Sequence, residues 1–342
     1  MKNLRLLPII LAISLISCSK QKNELNSNTN SKHDSWLVDI NDIIHFNSEK
    51  DPIMSIDQPV FDYIANSQLN DKDVVLAYYY NDVVHVYPMS VLEVHEIVND
   101  SIDNNYFAIS HCPLTNSSLA WNRKINGTII SFGVSGKLYK ENLIPYDRNT
   151  GSHWSQMLSY CINGEHIGHP AITSQLVKTN FSTIKYSFPN ALVLNHESCD
   201  SSVCIGGLKS SEDEPDDTSD SEVVDSERYF GVVDNGRATI FPLSQITDII
   251  SIEHFVVFQK KLVKVSSKDL NINLVFNAGN KSFTAVNDSL PVIMKDNKGD
   301  YYNIFGVVIS DKNIGCQLQS PTSFYAHTFA WKNIYKSVKV IN

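Results

Sequence analysis

The chain has 342 residues, 42% of them apolar, and a formal net charge of −9. Nine acidic residues between positions 209 and 227, against Lys209, carry eight of those nine charges, so the remainder is nearly neutral. That balance excludes a basic nucleic-acid interface, while the apolar content is enough for the cores of two ordinary domains.

In chain order, Lys2 and Arg5 precede an apolar run from Leu6 to Ile16 that ends at Ser17-Cys18. A basic start, a short apolar core and a small residue before the cut are the marks of a secretory signal. Leu15-Ile-Ser-Cys18 also resembles the bacterial lipobox, in which the cysteine is acylated. A membrane span needs about 20 apolar residues, more than this run offers. Residues 1–18 are therefore expected to be a lipoprotein signal peptide with Cys18 the lipidation site, and residues 19–34 a disordered tether. The expected location is the cell envelope, outside the cytoplasm, with the membrane held through the lipid.

Residues 73–88 set β-branched and aromatic residues on both sides of Asn81-Asp82, which predicts a hairpin. Residues 229–242 repeat the pattern around Asp234-Asn-Gly236, and Tyr87-Pro88 matches Phe241-Pro242 at an offset of 154. After the first hairpin, Ser90-Val-Leu-Glu93 has capping-box spacing and predicts a short helix that turns His95 inward with Val91, Leu92 and Val98. Tyr106–Cys112 reads as a strand stopped by Pro113, with His111 and Cys112 on opposite faces. Asn126-Gly127 predicts a further hairpin turn. The expected fold is a β-rich α+β chain of two tandem, diverged copies of one β-rich domain, each with hairpins and a short helix. The first domain spans 35–207, the acidic run 208–227 links, and 228–342 is a second, degenerate copy.

The reactive residues concentrate in the first copy. A cysteine beside a buried histidine supports either a nucleophilic thiol or a ligand pair for copper, zinc or iron. Cys112 and His95 are the candidates for both, with Asp147 and Arg148 as orienting or anion-holding groups. Ser135, Gly136, Trp154 and Gln156 are candidate ligand-binding residues. At the same offset His95 becomes Ile249, His111 Val265 and Cys112 Ser266, while an ungapped match through Gly151 and Gly299 sets Asp147 and Arg148 against Lys295 and Asp296. Gly164-Glu-His-Ile-Gly-His169 adds a weak metal signal, and Cys199 and Cys204 are spaced to close a small disulfide loop. Cys161 and Cys316 are left unassigned.

The motifs His95-Glu-Ile-Val-Asn-Asp100, Cys112-Pro-Leu-Thr115, Phe132-Gly-Val-Ser-Gly-Lys-Leu-Tyr139, Tyr146-Asp-Arg148 and Trp154-Ser-Gln156 resemble the family called domain of unknown function 3179, found in bacterial and archaeal envelope proteins. The resemblance covers roughly residues 70–200. The chain departs from it at Thr115, where some members carry a second cysteine, and at His111 and Asn116. The resemblance implies a location for the site without naming an activity. Two readings follow: an enzyme or metal protein centred on His95 and Cys112, or a non-enzymatic binding or scaffolding lipoprotein for a glycan, another small molecule or an envelope protein partner.

Overall fold

The computed structural model describes residues 35–195, 227–310 and 312–341. The signal segment, the tether, nearly all of the acidic run and the Cys199–Cys204 pair lie outside the described residues. The described chain is β-rich, with three short α-helices.

The first hairpin forms where the turn residues dictate it. Strands β1 (Val74–Tyr80) and β2 (Val83–Pro88) meet through Asn81 and Asp82, both at positive φ (47° and 64°), the geometry that a two-residue turn needs to follow strand twist. Helix α1 (Met89–His95) follows at once. The expected capping box does not set the start: the helix begins directly after Pro88, which as the N-cap residue makes no side-chain capping bond. A meander comes next, β3 (Ile97–Ile102), β4 (Asn105–Cys112) and β5 (Ser117–Asn122). A third sheet then contains β6 (Phe132–Tyr139), β7 (Asn142–Asp147) and β8 (His153–Ser155). The chain returns through β9 (Val177–Asn180), α2 (Phe181–Ser187) and β10 (Leu192–Leu194). These close the order β9–β1–β2–β10, with β9 antiparallel to β1 and β10 parallel to β2.

The second half runs through the same sequence of elements. Hairpin β11 (Arg228–Asp234) and β12 (Arg237–Pro242) is followed by a 3₁₀ turn, Leu243–Gln245, where the first half has α1. The meander is β13 (Ser251–Val257), β14 (Lys260–Ser267) and β15 (Ile272–Asn277), and the third sheet β16 (Phe283–Ala285), β17 (Met294–Asp296) and β18 (Tyr301–Tyr302). The return consists of β19 (Ser323–His327), α3 (Thr328–Ile334) and β20 (Ser337–Val340). Its sheet order is β19–β11–β12–β20, again antiparallel then parallel.

Each half has one apolar cluster of its own, around Leu76, Leu92 and Phe107 in the first and Phe230, Phe241 and Val275 in the second, but two further clusters span both. One apolar cluster joins Trp121, Phe132 and Trp154 to Phe324 and Trp331; another joins Val75, Val177 and Phe181 to Leu274, Phe276 and Tyr302. Each meander also bonds the return segment of the other half. His327 N donates to Thr115 O (3.0 Å) and Asn180 N to Leu270 O (3.4 Å). All described residues fall within one compact unit. Burying both apolar sets at a shared seam is what holds the second half against the first.

Ahead of the first hairpin, residues 35–57 form a strap across the third sheet. Ile43–His45 pairs with β6, Phe46 N and Asn47 N both donate to Gly136 O, and Ile56 bridges Val98.

Candidate functional site

The family motif words converge on structural bonds. Asn99 Nδ2 donates to Phe132 O (2.7 Å) and to Asp57 (2.6 Å), and its Oδ1 accepts from Phe132 N (2.8 Å). It thereby pins the meander to the third sheet and the strap to both. Asp100 takes His85 Nδ1 (2.7 Å) and the Tyr87 hydroxyl (2.5 Å). Arg148 clamps the strap: its guanidinium reaches Asp51 (2.9 Å), both oxygens of Asp57 (3.0 Å each) and Ser55 (2.9 Å), so it holds carboxylates of its own chain.

Each predicted ligand-binding residue is likewise engaged within the fold. A Cβ added at Gly136 (φ +71°) would come 2.7 Å from Asn47 O; the close approach that its missing side chain permits is made by the strap. Ser135 Oγ donates to Ile144 O. Trp154 is fully buried and its Nε1 donates to Asp147 (3.1 Å). Asp147, also fully buried, collects Thr150 N and Oγ1 as well (2.7 and 2.8 Å). Gln156 sits at the centre of a buried polar network. Its Oε1 accepts from Ser117 Oγ (2.7 Å) and Asn142 Nδ2 (2.8 Å), its Nε2 donates to Ser110 Oγ (3.1 Å), and Thr115 Oγ1 bonds Ser117 Oγ (2.8 Å).

His95 and Cys112 are both buried, as expected, but each is held by a different part of the chain. His95 Nδ1 bonds Met54 O of the strap (2.6 Å). Cys112 Sγ donates to Glu141 O (3.7 Å) and packs in the shared core. Burial pushes its thiol above the ordinary value, with neighbouring Glu96 adding to the rise, which opposes thiolate chemistry. Burial likewise raises the half-buried Glu96 carboxyl to about 7. His111 faces away from Cys112, to Ser118 Oγ (2.9 Å), and burial beside Lys178 lowers it to about 3. His166 and His169 lie around Trp154. Among the described residues no group of three or more His, Cys, Asp or Glu side chains is arranged to hold a metal ion, so the expected copper, zinc or iron centre lacks a donor set there.

A cleft that sequence reasoning missed lies at the seam. It measures about 630 Å³, within the range of small-molecule sites. The halves contribute like segments to it: the hairpin end at Tyr80 and the run 171–175 from the first, the hairpin end at Asp234 and the run 317–322 from the second. Its charged lining groups, Asp234 and Lys260, pair with each other at 3.3 Å. Two carboxamides line it with buried atoms that have no protein partner, both amide atoms of Gln175 and Oδ1 of Asn277. Nothing local in the sequence marks these residues, because they come together only when the halves dock.

Comparison with curated proteins and with solved structures finds no match. The family model described as "Protein of unknown function (DUF3179)" matches residues 50–337. That span extends well past the motif words of the first half and takes in the strap from Lys50 and nearly all of the second half. On that match the chain belongs to the DUF3179 family.

Proposed function

We propose that this protein is a lipid-anchored envelope protein that binds a ligand where its two halves meet. The observation that carries the reading is a contrast between two places. Most polar groups of the motif words have partners within the fold, Ser155 Oγ being an exception, whereas two residues that line the seam cleft, Gln175 and Asn277, keep buried amide atoms with none. Buried polar groups in native proteins are nearly always bonded, and exceptions call for a water or a ligand. The alternative of a metal or thiol centre at His95 and Cys112 finds no support in the raised thiol or in the side-chain donors available.

The anchor rests on the Leu15-Ile-Ser-Cys18 word and its basic, apolar prelude. We also read the halves as diverged copies, supported by their matching strand orders and connections. Two measurements test the reading. Cys18→Ser moves the protein from the membrane to the soluble fraction; retention in the membrane overturns the anchor. With Cys18, Cys199 and Cys204 replaced by Ser, a thiol reagent at pH 8 modifies exposed Cys316 and leaves buried Cys112 and Cys161 untouched until the chain unfolds. Rapid modification of native Cys112 restores the thiol alternative.

A further inference from the structure

We infer that a second, smaller pocket at the seam holds one halide-sized anion against the Lys178 ammonium. It shares no lining residue with the larger cleft, so the inference stands apart from the binding reading.

Three observations lead to the anion. The first is an unmet cation. Lys178 lies on β9 and is partly buried. Its Nζ has one acceptor, Asn116 Oδ1 at 3.5 Å, longer than an ordinary bond of that kind. An ammonium carries three N–H donors, so at least two find no acceptor on the protein. The ion pairs that lysines form among the described residues do not include Lys178. The second is the surrounding charge. Burial lowers Lys178 to about 8, with Arg228 adding to the fall and exposed Glu93 opposing it. Neighbouring His111 is itself lowered to about 3, by burial and by Lys178, so it stays neutral and supplies no counter-charge. A cation drawn out of water is normally paired, and an anion provides the missing partner.

The third is size. Leu76, Leu176, Phe230 and Phe324 wall the pocket, and the Tyr325 ring centroid lies 5.1 Å from Lys178 Nζ. The ammonium thus stands between two lining residues, Asn116 and Tyr325. The free space is about 10 Å³, room for roughly one water-sized particle. Carboxylates, phosphate and sulfate are too large for it. A single-atom anion fits, with the flexible lysine stem giving way by the small excess of chloride over water.

Lys178 comes from the return of the first half, and Phe230, Phe324 and Tyr325 come from the second. An anion there neutralises an unpaired charge at the joint. It also stabilises the docked arrangement, because only the folded chain has the pocket.

The test is thermal unfolding of the detergent-solubilised full chain at pH 7 in sodium chloride and in sodium gluconate, matched at about 0.15 M. Gluconate is too bulky for the pocket. The expected result is a melting temperature about 2 °C or more higher in chloride, bromide acting alike, with the difference absent in Lys178→Met. Should Lys178→Met fail to fold, Asn116→Gly decides: it keeps the left-handed turn at that position (φ 51°) while removing the amide, and should cut the difference by half or more. Equal melting temperatures in the two salts overturn the anion. A chloride advantage that Lys178→Met retains, or that Asn116→Gly retains in full where it decides, is a general salt effect and overturns the site. None of these outcomes bears on the larger cleft.

Discussion

The two halves follow a similar order of elements and fill their interiors in opposite ways. Where the first half places Ser110, Thr115, Ser117 and Gln156, strand register and turn position put Val265, Leu270, Ile272 and Ile304 in the second. The first set is a bonded network among fully or nearly fully buried side chains, and the second belongs to an apolar cluster. A satisfied polar network and a packed apolar core can be of similar worth, but only the network fails badly when one member is lost. The connections between sheets show the same contrast. Phe132 N donates to Asn99 Oδ1 (2.8 Å) in the first half; Phe283 N donates to His254 Nε2 (3.1 Å) in the second. The bond persists while the residue supplying it changes. Similarly, Trp154 Nε1 donates to Asp147 (3.1 Å) and Tyr302 hydroxyl to Asp296 (2.8 Å). The residues that differ between the halves thus include structural partners, and the difference does not by itself mark a catalytic centre.

The largest effect expected from breaking this comparison lies in the polar network. Gln156→Ala should destabilise by about 4 kcal/mol, because it opens a cavity and takes one hydrogen-bond partner each from Ser110, Ser117 and Asn142. Replacing the set together (Ser110→Val, Thr115→Leu, Ser117→Ile, Gln156→Ile) should recover part of that loss, the remainder being the buried Asn142 amide, whose acceptors Thr115, Ser117 and Gln156 are all removed. Urea unfolding of both variants checks the pair, and a quadruple variant worse than Gln156→Ala would show that the two interiors are not interchangeable.

The sheet-to-sheet pins come next. Asn99 is 1% exposed and holds three partners, so Asn99→Ala should cost about 3 kcal/mol. His254 is exposed and its Nε2 accepts the Phe283 amide; His254→Ala should cost under about 1 kcal/mol. Equal losses would contradict the difference in burial.

The smallest expected effect belongs to Glu96. Its carboxyl sits at about 7 in the folded chain because burial disfavours the charged form, against about 4.3 when unfolded. The folded state therefore holds a proton that the unfolded state releases, and stability falls as pH rises from about 4.3 to about 7. Glu96→Gln should remove that fall. It should match the wild type below about pH 4 and exceed it at pH 8 by on the order of 1 kcal/mol, allowing for partial exposure. Thermal melts across that range check it, and parallel profiles would refute the assignment.

Much of the β architecture was legible because its turns are written in residues that tolerate positive φ. Asn81-Asp82, Asn126-Gly127 and Asn235-Gly236 each lie where a hairpin turns. The start of α1 was misread because it lies ahead of the capping-box word, directly after Pro88, which makes no side-chain capping bond. Fixed-offset alignment also drifted. The second half has one residue more before its meander, so strand pairing sets His111 and Cys112 against Ser266 and Ser267. It has one fewer in the turn after β17, so Asp147 matches Asp296 and Arg148 has no equivalent position. The seam cleft was illegible for a different reason: Gln175 and Asn277 lie about a hundred residues apart and gain meaning only through docking.

Counting the thiols that react in the folded chain, with Cys18, Cys199 and Cys204 replaced by Ser, tests most directly the claim that the motif words of the first half are structural. The expected result is that Cys316 alone reacts before unfolding, since Cys112 and Cys161 are buried. Rapid reaction of Cys112 in the folded chain would return function to the motif words and contradict the claim.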